Sequence, residues 1–99
     1  MEQFTNTITN TGKDFYYIAE VQAGKKYKVE LTVDNRIVFR YAVLNDTHIR
    51  RNFLTRQMDN MKGTFIHMLY PKVDGHLAID SFEANPGYWQ KATVVVTEV

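Results

Sequence analysis

The chain has 99 residues, 44% of them hydrophobic and 13% aromatic, enough for one domain that buries its own core without staples. It contains no cysteine, which excludes a disulfide scaffold, a cysteine zinc site and a cysteine nucleophile. A net charge of +1 argues against a dedicated nucleic-acid binder, because counterion release from a basic surface supplies most of such a protein's affinity.

The opening segment MEQFTNTITN has neither the basic nor the apolar run of a signal peptide. No window approaches the roughly 18 apolar residues of a membrane helix. The expected setting is cytoplasmic, virion-associated, or inside a larger protein of which this is one domain.

FTNTI near the N-terminus reads as a polar edge strand. DFYYIAEV, residues 14–21, is rich in aromatic and β-branched residues and follows the turn Thr11-Gly12-Lys13; its facing is open. KKYKVELTV, residues 25–33, alternates strictly: Tyr27, Val29, Leu31 and Val33 share one face, and Lys26, Lys28, Glu30 and Thr32 the other. RIVFRYAVL, residues 36–44, repeats the pattern with Ile37, Phe39, Tyr41 and Val43 inward and Arg36 and Arg40 outward. With only Asp34-Asn35 between these runs, a tight hairpin is expected.

Residues 46–62 break the pattern. Ile49, Phe53 and Gln57 fall at helical spacing, as do Leu54, Met58 and Met61. Asp46 or Thr47 could cap the start and Gly63 the end, so a short amphipathic helix is expected, with a long loop containing one strand as the rival. Beyond it come TFIHMLY (64–70), then HLAIDSF (76–82) after the turn Asp74-Gly75, and YWQKATVVVTEV after Asn85-Pro86-Gly87. Short strands punctuated by turns predict one all-β domain over 1–99, an antiparallel β-sandwich of jelly-roll-like form with a helix or loop at 46–62.

The chemistry-bearing residues form no catalytic motif. His48, His67 and His76 show no chelating spacing, although His67 and His76 could meet across a hairpin near Asp74 or Asp80, as an enzyme would need. The glycines are spread one per turn, and Ser81, the one serine, has no evident base. No cofactor, no metal and no enzymatic activity are expected. Candidate ligand contacts are Trp89, Tyr88 and Tyr70 for stacking on a sugar face, with Arg40 and His67 for polar contacts; against this, a single tryptophan in a domain of this size is more often a core residue whose indole N–H finds a carbonyl. The basic stretch HIRRNFLTRQ, residues 48–57, is either a cap on the sandwich or a partner-binding surface built from Arg50, Arg51, Phe53, Leu54, Arg56 and Met58.

YYIAEVQAGKKYKVELTV, with Ala23-Gly24-Lys25 leading into Tyr27 and Val29, resembles the strand pair of carbohydrate-binding-module-like sandwiches. GYWQKATVVVTEV is similar to the closing strand of such domains, including those of phage tail and receptor-binding proteins. The resemblance implies a jelly roll or related sandwich, a glycan-binding or virion-assembly role, and no catalysis; the 46–62 segment departs from it. The expected function is therefore a non-catalytic binding module, for a glycan or for virion-associated recognition. The alternative is a small structural or regulatory protein, such as a phage-encoded inhibitor or a homo-oligomeric coat component, that contacts another protein through 46–62.

Overall fold

The computed structural model of the chain describes residues 3–11, 15–45, 50–53, 58–81 and 89–99. Among them the regular structure is all β: β1 (Gln3–Thr9), β2 (Phe15–Val21), β3 (Tyr27–Asn45), β4 (Arg50–Phe53), β5 (Met58–Leu69), β6 (Gly75–Ser81) and β7 (Lys91–Glu98). Every pairing is antiparallel and the pairs are nested: β1 with β7, β2 with β6, and β3 with both β4 and β5. The 19-residue β3 also pairs with β7 through its first half and with β6 through its second. One sheet layer is thus β1-β7-β3-β5 and the other β2-β6-β3-β4. Counting β3 as two segments turns the seven strands into the eight of a jelly roll.

The alternating runs pack as their pattern requires. Tyr27, Val29, Leu31 and Val33 from the first half of β3, and Ile37, Phe39, Tyr41 and Val43 from the second, are all buried. They meet Ala92, Val94 and Val96 of β7 and Leu77 and Ile79 of β6 in one cluster. Burial of this apolar surface, at roughly 25 cal/mol per Å², is the main force holding the layers together.

The hairpin expected at Asp34-Asn35 does not form; β3 runs straight through both residues. A two-residue hairpin needs positive φ at its centre, usually from a glycine, and neither residue is one. Their side chains satisfy the backbone of a bend instead. Asn35 Oδ1 accepts the Arg36 N–H at 2.9 Å. The Asp34 carboxylate accepts the N–H groups of Gln90 at 2.9 Å and Lys91 at 3.1 Å, where β7 begins. Trp89 N–H donates to the Arg36 carbonyl at 2.8 Å. The register against β5 slips between Val33 and Ile37, and the strand passes from one layer to the other at this point.

The helix expected within 46–62 is likewise replaced by strand wherever that segment is described. Arg50–Phe53 pairs with Ala42–Asn45, and Met58 and Met61 pair with Phe39 and Ile37. The second half of β3 is buried on both faces through Tyr41, Ala42 and Val43, so its backbone groups need a ladder partner on each side, and that demand outweighs the helical spacing. Asp46 and Thr47, the expected caps, lie outside the described residues. Gly63 does adopt the left-handed region, at φ 103°, but inside β5 and opposite Val33, where the sheet bends. Gly75 is required by a close approach instead: a Cβ there would sit 2.5 Å from the Leu44 carbonyl oxygen.

The sheet nearly closes on itself. The register of β2 against β6 shifts between Tyr17 and Ala19. Asn6 of β1 reaches this bulge, its Nδ2 donating to the carbonyls of Tyr17 at 3.2 Å and Ile18 at 3.4 Å.

The Asp34 contacts make a pH prediction. Hydrogen bonds led by that from the Gln90 N–H hold the carboxyl below its ordinary value of 3.8. A depressed folded-state pKa gives stability that is present above the ordinary value and lost as pH falls through the lowered one. Asp34→Ala should cost about 1 kcal/mol at neutral pH, near the low end for a charged acceptor because the group is exposed and screened. Urea midpoints of the two proteins should converge in acid.

Candidate functional site

The candidate site lies on the outer side of the β2-β6-β3 layer, a face that is partly buried and at which Tyr17 is exposed. Outward-facing residues there are Phe15 and Tyr17 on β2, His76, Ala78 and Asp80 on β6, and Arg40, Ala42 and Leu44 on β3; cross-strand register sets Phe15 and Arg40 beside Asp80, and Tyr17 and Ala42 beside Ala78. Ala42, Leu44 and Ala78 are buried with Phe15 packed against them, giving the face an apolar floor.

Polar groups stand around that floor. Arg40 Nη2 donates to Asp80 Oδ2 at 3.0 Å, and the carboxylate is nearly fully buried while the arginine keeps about a quarter of its side chain exposed. Such a pair is stable only while both partners remain, so it presents a fixed guanidinium edge rather than a mobile one. Tyr17 is 59% exposed, although it sits within a strand. Its ring is met edge-on by the imidazole of His76, with centroids 5.9 Å apart and planes at 84°. This contact steadies the ring while leaving most of it in solvent.

Tyr17 also borders a cleft of about 360 Å³ along the seam between β1 and β2, lined by Thr7, Ile8, Thr9, Thr11, Phe15 and Tyr16 as well. Three threonine side chains and the backbone at the end of β1 give it hydroxyl donors and acceptors beside aromatic rings. Behind it the framework is tightly tied. Tyr16 OH donates to Asn10 Oδ1 at 3.0 Å and accepts the Thr11 N–H at 3.1 Å. Asn10 Nδ2 donates to the Trp89 carbonyl at 3.0 Å.

The residues expected from the sequence do not converge. Trp89 is fully buried and packs edge-on against Tyr16, with centroids 5.1 Å apart. Its ring faces the core and cannot stack on a ligand, which corrects its assignment as a contact. Tyr70 is exposed, past the end of β5, with the Lys26 ammonium 5.9 Å from its ring centroid. His67 points into the sandwich, against Tyr41 at 5.2 Å and Phe39 at 6.3 Å. Only Arg40 lies on the surface described above. His67 and His76 do not meet: β5 and β6 are not paired, and the two imidazoles have different neighbours. Arg50, Arg51 and Phe53 lie along β4, and Met58 opens β5; Tyr88, Leu54 and Arg56 lie outside the described residues.

Sequence reasoning missed Tyr17 because β2 breaks its own alternation. Tyr16, Ile18 and Val21 are the buried positions, a spacing of two and then three, produced by the bulge at Ile18. The signal available was three adjacent aromatic residues, Phe15-Tyr16-Tyr17, of which a strand cannot bury all on one side.

No family model matches the chain, and no curated protein matches its sequence. Among solved structures, its fold is similar to part of the IMPa metallopeptidase in complex with T-antigen, with a TM-score of 0.63 at 18% identity. That likeness covers 98% of this chain and 12% of the metallopeptidase chain, so the chain spans only a small part of that protein.

Two predictions follow the burial pattern. Trp89→Ala should cost about 3–5 kcal/mol in urea unfolding, whereas Tyr17→Ala should change stability by less than about 1 kcal/mol. Burial lowers the His67 pKa from its ordinary 6.5. As pH falls below that value the unfolded chain takes up a proton that the folded chain resists, so the stability held above it declines until the lowered pKa is passed. His67→Gln should remove this part of the acid-side decline in a melting-temperature series.

Proposed function

We propose that the domain is a non-catalytic carbohydrate-recognition module that binds its glycan over Tyr17, between the seam cleft and the Arg40–Asp80 pair. The observation that carries this reading is the exposed, edge-supported Tyr17 ring beside threonine hydroxyls and a fixed guanidinium. A pyranose has an apolar C–H face and a rim of hydroxyls. The first stacks on an aromatic ring, and the second needs donors and acceptors placed around it. Tyr17 and Phe15 supply rings; Thr7, Thr9 and Thr11, with His76 and Arg40, supply the rim. The structural neighbour, solved with the glycan T-antigen, supports a glycan as the ligand class. Neither the surface nor that neighbour bears on the virion-associated version of the reading.

The chemistry of such a site favours binding over turnover. Asp80 is engaged by Arg40 and buried, which disfavours a role as general acid or base.

Glycan-array screening of the intact protein followed by titration calorimetry tests the reading. A bound glycan should lose about two- to twelvefold in affinity with Tyr17→Ala, equivalent to the 0.5–1.5 kcal/mol that an aromatic contact contributes. Thr9→Val should weaken it less, and the circular dichroism spectrum should be unchanged in both. Binding that survives Tyr17→Ala, or an array with no bound glycan, overturns it.

A further inference from the structure

We infer that the cleft between β1 and β2 receives the free end of a glycan, one or two sugar rings long, and not the middle of a polysaccharide chain. The inference rests on the reading that a glycan binds over Tyr17, and it adds which part of that glycan enters the cleft. Two cross-links bound the cleft along the seam. Asn6 spans the seam on one side, its Nδ2 donating to the carbonyls of Tyr17 at 3.2 Å and Ile18 at 3.4 Å. Tyr16 spans it on the other, its hydroxyl accepting the Thr11 N–H at 3.1 Å and donating to Asn10 Oδ1 at 3.0 Å. The lining residues Thr7, Ile8 and Thr9 lie between these cross-links, and Thr11 lies at the second.

The dimensions follow from the chain. Asn6 and Thr11 are five residues apart, so the stretch between the cross-links is at most about 18 Å even in a fully extended backbone. The volume of about 360 Å³ lies near the lower end of the ~300–1,000 Å³ of small-molecule sites. A saccharide chain laid along the seam would meet a hydrogen-bonded side chain at either end. No track of rings leads away from the cleft among the described residues. Tyr17 is its exposed ring, Phe15 is packed on the floor of Ala42, Leu44 and Ala78, and Tyr16 is buried. Phe4, the other exposed ring on these two strands, stands beyond the Asn6 cross-link. The stacking area therefore serves one sugar, whereas following a chain needs a ring for each successive one. Hydroxyl chemistry favours the same part of the ligand. A terminal sugar keeps the hydroxyl that an internal sugar spends on its linkage, and Thr7, Thr9 and Thr11 supply groups to bind it. The rest of the glycan leaves through the open side of the cleft, past Tyr17.

The test takes the best ligand from the glycan array and titrates two derivatives of it, by calorimetry, against the full chain and against Tyr17→Ala. The first is its terminal disaccharide alone, cut from the free end. This should keep the affinity of the parent to within about threefold, because sugars further in make no contact that the cleft supplies. The second is the parent carrying one further sugar on that free end. It should bind at least about tenfold more weakly, because the terminal hydroxyl is spent and the blind cleft has no room beyond it. A disaccharide that falls further than threefold below the parent, or an elongated end that binds as well as the original, overturns the inference. In that case a loss of affinity with Tyr17→Ala still leaves glycan binding over Tyr17 standing. Binding indifferent to Tyr17→Ala, or no bound glycan at all, overturns both.

Discussion

One strand belonging to both sheets is the constraint on which the rest of this molecule depends. β3 carries two inward-facing sets of apolar side chains, and these are of use only if the strand turns from one layer to the other between them. The turn at 34–37 breaks the regular ladder, and the backbone groups there must be satisfied by other means. Asp34 and the Arg36 carbonyl do so by binding the N–H groups of Trp89, Gln90 and Lys91. The bend in β3 therefore positions the start of β7, and β7 in turn positions β1.

Trp89 connects that corner to the opposite seam. Its indole fills the core beside Tyr16, and its carbonyl accepts from Asn10 at the end of β1. A single residue, through its ring and its backbone N–H and carbonyl, thus links the bend of β3, the origin of β7 and the β1–β2 closure. The candidate glycan surface is a consequence of this closure. Ordinary alternation puts Tyr17 outward and Tyr16 inside, and the β2 bulge that follows Tyr17 is bound by Asn6. Recognition chemistry is exposed at the place where the sheet fails to close by an ordinary ladder.

The two ends of the fold solve the edge problem differently. At the β1–β2 seam a side chain bridges strands that do not pair, leaving a cleft with hydroxyl and aromatic walls. At β5 the ladder, among the described elements, stops with Ile66 and Met68 exposed on its outer face, on a strand that also carries Asp59 and Lys62. The first arrangement suits a small polar ligand with an apolar face.

Strict alternation over 25–33 and 36–44, and again over 91–98, was sufficient to place those strands, their inward faces and the all-β class, because side-chain direction along an extended chain is a local property. What joined two such runs was not local. Asp34-Asn35 suits a turn or a bend equally, and the choice depended on N–H donors more than fifty residues away. The helical spacing within 46–62 lost to the ladder demanded by a strand buried on both faces. Trp89 takes the core place that was its alternative reading, and Tyr17, on a strand whose facing the sequence left open, is the ring that reaches solvent. Sequence alone therefore determined the alternating strands and their inner faces, while tertiary structure decided the facing of β2, the strands within 46–62, the connections and the surface available for binding, since those rest on contacts between residues distant in the chain.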